Sequence, residues 1–196
     1  MLARTAGLGV AVCAIGAAAC GGKDPYAPTA YLPTIGTTFV MYPLSTVVAP
    51  QNSAIELRTP TEVRPAVYLS STLGELVPNF DVAFDVDSTG QIVLLPPKLV
   101  VSPTYSPRTG FQISSTLFDS LKAAPGGTYQ ADSAFRVKVG QTIVAQVQGT
   151  GCTVASPFYV KMVIDSVNAT TRAMYLSARV DPNCSFKSFA AGVPSS

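Results

Sequence analysis

Residues 158–165 (FYVKMVID) and residues 174–180 (MYLSARV) decide the fold of this chain. In both stretches every second side chain is apolar, which is the period of a β-strand that buries one face. The sequence between them, at residues 168–171 (NATT), is typical of a turn. The two stretches therefore predict an antiparallel β-hairpin.

The same period recurs along much of the chain. Residues 80–86 lead through a turn at residues 87–90 (DSTG) into residues 91–95, which predicts a second hairpin. Further strand-like segments are residues 47–57, 63–69, 99–101, 135–139 and 143–147. About eight to ten strands of this kind predict an all-β fold, either an antiparallel β-sandwich or a flattened barrel.

One short helix is predicted among the strands. Ser114 or Ser115 can cap a segment in which Leu117 and Leu121 lie four residues apart. The segment ends at Ala124, just before a Pro-Gly-Gly sequence. We expect a helix of this length to close one end of the β domain.

The N-terminus has the features of an export signal. Arg4 precedes an apolar run at residues 6–19, which is long enough for a signal peptide and short for a bilayer span. Small residues at 17–19 then precede Cys20, and this sequence resembles the lipobox of bacterial lipoproteins. The resemblance implies cleavage before Cys20, lipidation of Cys20 and stable attachment to a membrane of the bacterial cell envelope, facing the periplasm or the cell surface. Ordinary secretion and a buried N-terminal helix are the alternatives.

The resemblance divides the chain into three parts. Residues 1–19 form the signal peptide, and residues 20–36 form a lipid-anchored, proline-rich tether. Residues 37–196 form a single β domain. If Cys13 leaves with the signal and Cys20 carries the lipid, then Cys152 and Cys184 remain as an even pair, which predicts a disulfide bond. A reactive thiol pair or a metal site is the alternative.

The charge and the missing residue types exclude several functions. The sequence has no histidine, which removes Ser-His-Asp and Cys-His catalysis and histidine-based metal sites. Charged residues are only 12% of the chain and include no basic run, so nucleic acid is not an expected partner. We expect neither an enzyme nor a bound cofactor. Two catalytic options remain. One is a serine and a lysine that folding brings close together, and the other is a pair of carboxylates between Glu56 and Asp87.

Two groups of residues have the chemistry of metal ligands. Asp85, Asp87 and Gly90 have part of the spacing of a calcium loop, although a hairpin turn explains the same residues. Met162 and Met174 are soft ligands in neighbouring predicted strands, but each falls on the apolar face, which favours core packing.

Two segments resemble a family of haem-binding surface proteins. Residues 80–85 (FDVAFD) and residues 158–162 (FYVKM) look like segments of HmuY-like lipoproteins. The resemblance implies a β-rich fold and a surface location. The haem-ligating histidines of that family have no counterpart in this chain, so no haem ligand is transferred to it.

Three functions are compatible with this sequence. The leading hypothesis is a non-enzymatic structural or accessory subunit of a membrane or envelope complex, because the chain combines an anchor with a weakly charged surface. The second is a binding module for a small apolar ligand such as haem. The third is an enzyme of unusual design. The expected partners are the membrane, through the N-terminal lipid, and a membrane protein complex.

Overall fold

The computed structural model describes residues 29–46, 51–69, 76–102, 108–148, 152 and 156–194. The predicted signal peptide, Cys20 and the first part of the tether lie outside the described residues. Within these ranges the chain forms twelve strands, a 3₁₀ helix (Leu44–Thr46) and one α-helix, α1 (Pro97–Val100). The strands are β1 (Ile35–Met41), β2 (Ala54–Glu56), β3 (Thr61–Val63), β4 (Val67–Leu69), β5 (Leu76–Pro78), β6 (Val82–Val86), β7 (Ile92–Leu95), β8 (Thr109–Ser114), β9 (Phe135–Val137), β10 (Thr142–Val147), β11 (Phe158–Val167) and β12 (Met174–Asp181).

Two five-stranded antiparallel sheets pack face to face. The first sheet has the order β1-β12-β11-β10-β8, and the second has the order β3-β2-β6-β7-β9. β4 and β5 form a separate two-stranded ribbon. Side chains from both sheets form one buried core, which includes Phe39, Phe111, Ile143, Met162 and Leu176 from the first sheet and Ile55, Phe84, Leu94 and Val137 from the second. The prediction of an all-β sandwich is confirmed.

Both predicted hairpins are present. β11 and β12 pair antiparallel, with Lys161 directly opposite Arg179 and a one-residue irregularity between Ile164 and Ser166. β6 and β7 pair through the predicted turn, where Gly90 adopts a φ of 79°. This left-handed backbone conformation is strained for residues with a side chain, so glycine suits the position.

The outer face of the first sheet is covered by two loops. Residues 117–130 and residues 186–189 lie across it, and Ala124 N and Phe189 N donate 2.7 Å hydrogen bonds to Lys187 O and Lys122 O. Below these loops is a second buried cluster, formed by Leu121, Ala124, Val144, Tyr159 and Phe189. The loop at residues 117–130 approaches β8 so closely that a Cβ atom at Gly110 would lie only 2.8 Å from Cβ of Tyr129.

The predicted helix at residues 114–124 is wrong. Residues 111–114 belong to β8, and the following segment makes only one helical turn, in which Leu121 N donates to Leu117 O. Leu117 is 72% exposed, whereas Leu121 is buried under the loop. Pairing with the distant residues 187–189 replaces the local helix.

The single α-helix occurs where an edge strand was predicted. Residues 99–101 follow Pro97, which occupies one of the first positions of α1. Proline suits this position because its fixed φ is helical and its missing N–H would have no helical partner. Val100 and Val101 pack against the buried cluster around Phe80 and Ala83. No helix within the described ranges is long and apolar enough to cross a membrane.

Candidate functional site

The predicted disulfide joins Cys152 and Cys184. Their Cα atoms are 5.6 Å apart. The bond connects the chain between β10 and β11 to the chain just after β12, and Cys152 is part of the main core. The disulfide prediction is confirmed, whereas Cys20, the predicted lipidation site, lies outside the described residues.

The N-terminal segment is attached to the domain by Asn183. The amide nitrogens of Tyr31 and Leu32 each donate a 3.0 Å hydrogen bond to Asn183 Oδ1, and Asn183 Nδ2 donates to Leu32 O at 2.8 Å. Thr34 N donates to Gly192 O at 2.9 Å. We call these contacts the root clamp. They hold the chain in place before β1 begins at Ile35, so residues 31–34, which belong to the predicted tether, are attached to the domain.

A buried carboxyl group supports the root clamp. Asp181 is 0% exposed, and its Oδ1 accepts hydrogen bonds from the backbone nitrogen and from Nδ2 of Asn183 at 3.1 and 2.8 Å. Its Oδ2 is buried without a hydrogen-bond partner among the described residues. Burial raises the pKa of Asp181, and the two hydrogen bonds from Asn183 offset only part of this effect.

The residues of the predicted cation turn form a hairpin turn. Asp87 Oδ1 accepts hydrogen bonds from the backbone nitrogens of Thr89 and Gln91, and Asp87 Oδ2 accepts from Arg136 Nε at 2.9 Å. The hydrogen bonds from Thr89 and Arg136 hold the pKa of Asp87 well below its usual range. Asp85 Oδ1 accepts instead from Ser45 Oγ at 2.6 Å. In the part of the chain that the structure describes, no three His, Cys, Asp or Glu side chains converge as metal ligands.

The other carboxylates between Glu56 and Asp87 hold backbone groups in place. Glu56 accepts hydrogen bonds from the backbone nitrogens of Arg58 and Thr59, and Glu62 accepts one from Val40 N. Asp81 Oδ2 accepts a 2.8 Å hydrogen bond from Leu57 N. Glu75 lies outside the described residues. These contacts give each carboxylate a structural role.

The two methionines lie in the core. Met162 is 1% exposed and Met174 is 0% exposed, and both pack between the two sheets. Core packing, which the alternation of the strands favoured, accounts for both positions.

A buried lysine on the outer face of the first sheet is the most unusual feature of the structure. Lys161 is only 4% exposed, and its Nζ donates hydrogen bonds to the carbonyl oxygens of Phe118 and Leu121, the latter at 3.0 Å. The same nitrogen lies 4.5 Å from the centre of the Phe118 ring and 5.8 Å from that of Phe189. Burial lowers the pKa of Lys161, and the nearby charges of Arg179 and Lys122 lower it further.

Lys161 lines a surface depression of about 400 Å³. Arg179 and Lys122 also line it, so three cations face the same space. Asp119 is the only acidic side chain among the described residues that line this depression. We call it the cationic depression, and its charge makes it a candidate binding site for an anion.

The sequence contains part of the signal for this site. The alternation of the two strands places Lys161 and Arg179 on the same face of the hairpin. The structure adds the register, in which a one-residue irregularity in β11 brings Lys161 directly opposite Arg179. Two like charges on one face of a hairpin are unfavourable, which singles out the pair. The contribution of Lys122 depends on how residues 117–130 fold back over the sheet, and no local pattern shows that.

Comparisons of the chain with protein-family models, with curated proteins and with solved structures find no match. The functional proposals below therefore rest on the residues and their geometry.

Proposed function

We propose that this chain is an exported, lipid-anchored domain that acts as a non-enzymatic structural or accessory subunit of a membrane or envelope complex. The anchor is a lipid on Cys20, and the location is the bacterial cell envelope. The observation that carries the proposal is the root clamp: backbone groups of Tyr31, Leu32 and Thr34 are hydrogen-bonded to the end of the sandwich. A fixed entry point determines which end of the sandwich lies nearest to the anchor.

The surface around the root clamp supports contact with another apolar surface. Tyr31, Leu32 and Ile35 are 80%, 48% and 37% exposed. Beside them is a mainly apolar cleft of about 380 Å³, formed by Leu32, Pro33, Ile35, Pro60 and Pro182 with Arg58 and Thr59. Clustered exposed apolar side chains are typical of interaction sites. The occupant that we propose is an integral membrane protein of the complex.

The disulfide and the composition support the remaining parts of the proposal. A Cys152–Cys184 bond suits an exported protein, because oxidising compartments preserve disulfides. The absence of histidine from the sequence favours a role without acid–base catalysis at neutral pH.

The anchor is tested with native membranes. We expect the chain to require detergent for extraction, and the intact mass of the mature protein to show a lipid on Cys20. A Cys20→Ser variant should appear in the soluble fraction. An unmodified Cys20 in a membrane-bound chain would contradict the lipid anchor.

The subunit role is tested by co-purification in mild detergent. We expect a membrane protein complex to purify with the wild-type chain in a fixed stoichiometry. An Asn183→Ala variant, which removes the hydrogen bonds to Tyr31 and Leu32, should remain in the membrane but retain less of the complex. The matched control is Asn168→Ala. It also removes two hydrogen bonds from backbone nitrogens to an asparagine side chain, but at the turn between β11 and β12. A wild-type protein that purifies alone would overturn the subunit role.

A further inference from the structure

We propose that the cationic depression is a binding site for a phosphate group, held by Lys161, Arg179 and Lys122. This site goes beyond the proposed subunit role and does not depend on it. Three features of the molecule support it: the strand register, the burial of Lys161 and the excess of positive charge around one space.

The strand register places two cations side by side. Lys161 on β11 and Arg179 on β12 are directly opposite each other, and both line the cationic depression. Side chains at such positions have Cβ atoms only about 4.5–5.5 Å apart, and like charges there destabilise the pair. A bound anion between the two side chains would turn this repulsion into attraction.

Both side chains have hydrogen atoms left for a ligand. The Lys161 ammonium group has three N–H donors, and the contacts to Phe118 O and Leu121 O use two of them. The Arg179 guanidinium has five donors, and its hydrogen bond within the described part of the chain is a long one, 3.5 Å, to Phe189 O. Arg179 can therefore offer the paired N–H groups that bind phosphate in a bidentate manner.

The charge balance favours an anion with two negative charges. Three cations and one carboxylate, Asp119, line the depression, which leaves a formal excess of two positive charges. A phosphate monoester carries about that charge near neutral pH. The rings of Phe118 and Phe189 beside Lys161 also restrict water, which strengthens an ionic hydrogen bond formed there.

The location of the depression suggests two sources of phosphate. Ala190 and Ala191 form part of its wall, and Thr34 Oγ1 in the root clamp region donates a 2.7 Å hydrogen bond to Ala190 O. The depression therefore lies beside the point where the N-terminal segment enters the domain. A soluble phosphate monoester would supply a phosphate group with about two negative charges, whereas the phosphodiester headgroup of a phospholipid in a nearby membrane would supply one with a single charge.

The test is calorimetric titration of the full mature chain in a non-ionic detergent at low ionic strength. The probes are inorganic phosphate and glycerol phosphate. We expect saturable binding to the wild type that weakens as salt is added. A Lys122→Gln/Arg179→Gln double variant should bind at least about tenfold more weakly, because it loses two charged donors. This variant keeps the contacts of Lys161 with Phe118 and Leu121, although it loses the hydrogen bonds of Lys122 Nζ to Asp119 O and of Arg179 Nη1 to Phe189 O.

The matched control is Lys138→Gln, which removes an exposed lysine that does not line the depression. It should bind phosphate like the wild type. The proposal is overturned if the wild type shows no saturable binding, or if the double variant binds as tightly as the Lys138→Gln protein.

A short-chain phosphatidylglycerol separates the two sources, and it is used below its micellar concentration in detergent-free buffer with the soluble Cys20→Ser chain, with and without the double substitution. If it binds at least as tightly as glycerol phosphate and the double variant loses this binding, the ligand is a lipid headgroup. If only the phosphate monoesters bind, the ligand is a soluble phosphate ester. Neither result depends on whether a membrane complex co-purifies, so failure of the subunit role would be recognised separately.

Discussion

The inner face of the first sheet and the part of its outer face that lies under the two loops are both buried, but in different ways. The inner face presents side chains such as Phe158, Val160 and Met162 to the second sheet, in a core formed by apolar residues. The outer face presents Tyr159, Lys161 and Arg179 to two loops. Burial of apolar side chains stabilises the inner face. On the outer face, the charged group of Lys161 is withdrawn from water and lies beside the charge of Arg179, which is unfavourable.

The comparison shows that burial alone does not indicate stabilisation. Burial of an ammonium group is favourable only when its hydrogen bonds offset the free energy of the lost hydration. Lys161 has two carbonyl partners, but it also has a cationic neighbour across the strand. We therefore expect substitutions on the inner face to affect the stability of the whole domain, and substitutions on the outer face to affect the loops and the binding site.

The largest effect is expected on the inner face. Phe158 is 0% exposed in the main core. A Phe158→Ala substitution should lower the free energy of unfolding by about 3–5 kcal/mol, because it leaves a cavity that the packed sheets cannot close. Urea denaturation followed by far-ultraviolet circular dichroism measures this change.

The matched control for Phe158→Ala is Leu117→Ala. Leu117 belongs to an outer loop and is 72% exposed, so its removal should change stability by less than about 0.5 kcal/mol. Equal losses in the two variants would show that the inner and outer faces do not differ as described.

The disulfide should give the next largest effect. Cys152 and Cys184 are 32 positions apart, and the closed loop includes the whole of β11 and β12. Replacement of both cysteines by alanine should lower stability by roughly 3 to 4 kcal/mol on the chain-entropy model. Urea denaturation with and without a reducing agent measures the change. A wild type that is equally stable in both conditions would contradict the prediction.

The inner face could be predicted from the sequence, because its pattern is local. Alternation over residues 158–164 and 174–180 identifies the core side chains without any knowledge of the rest of the chain. Cysteine parity in an exported chain predicts the disulfide in the same way. β1 and β8, of seven and six residues, lie outside the predicted strand segments. Shorter strands such as β3 and β5 contain only three residues each, which is too few for a clear alternation.

The outer face could not be predicted in the same way. Leu117 and Leu121 have helical spacing, but backbone pairing between residues 122–124 and 187–189 holds the segment in another conformation. Such pairing joins positions more than sixty residues apart, and tertiary contacts of this kind override weak local propensity. The cationic depression depends on the same contacts, so from the sequence one can find only that Lys161 and Arg179 share one face of the β11–β12 hairpin.

A smaller effect is expected from Lys161. A Lys161→Met substitution leaves the carbonyl oxygens of Phe118 and Leu121 without their charged donor, but it also removes a buried charge. We expect a net loss of about 1 kcal/mol. Hydrogen exchange should show lower protection in residues 117–124, with the amides of β10 and β11 unchanged. Arg179→Met should instead raise stability by about 0.5 kcal/mol, because removing the repulsive partner outweighs the loss of one long hydrogen bond to Phe189 O. Equal destabilisation by both variants would argue against repulsion in this pair.

The last effect depends on pH and concerns Asp181, which is buried beside the root clamp and has a raised pKa. The folded state therefore binds this proton more tightly than the unfolded chain does. The contribution of Asp181 to stability is most favourable below the unfolded pKa of about 3.9 and is lost as the pH rises through the folded value. Asp87 and Asp132 have lowered pKa values, so their contributions are lost only as the pH falls below about 4.

The stabilisation by Asp181 is lost above about pH 4, whereas that by Asp87 and Asp132 is lost below it. The contribution of Asp181 can therefore be measured alone above this pH. Between pH 4 and 7 the wild type should lose stability, whereas an Asp181→Asn variant should not, and at pH 7 the variant should be more stable by about 1 kcal/mol. Urea midpoints at three pH values measure both slopes. Asp165→Asn, at an exposed carboxylate on the same hairpin, is the control and should follow the wild type. If the stability of Asp181→Asn changes with pH as that of the wild type does, the buried carboxyl group does not limit the stability of the root clamp. The charges whose burial is unfavourable on this sheet are then those of Lys161 and Arg179.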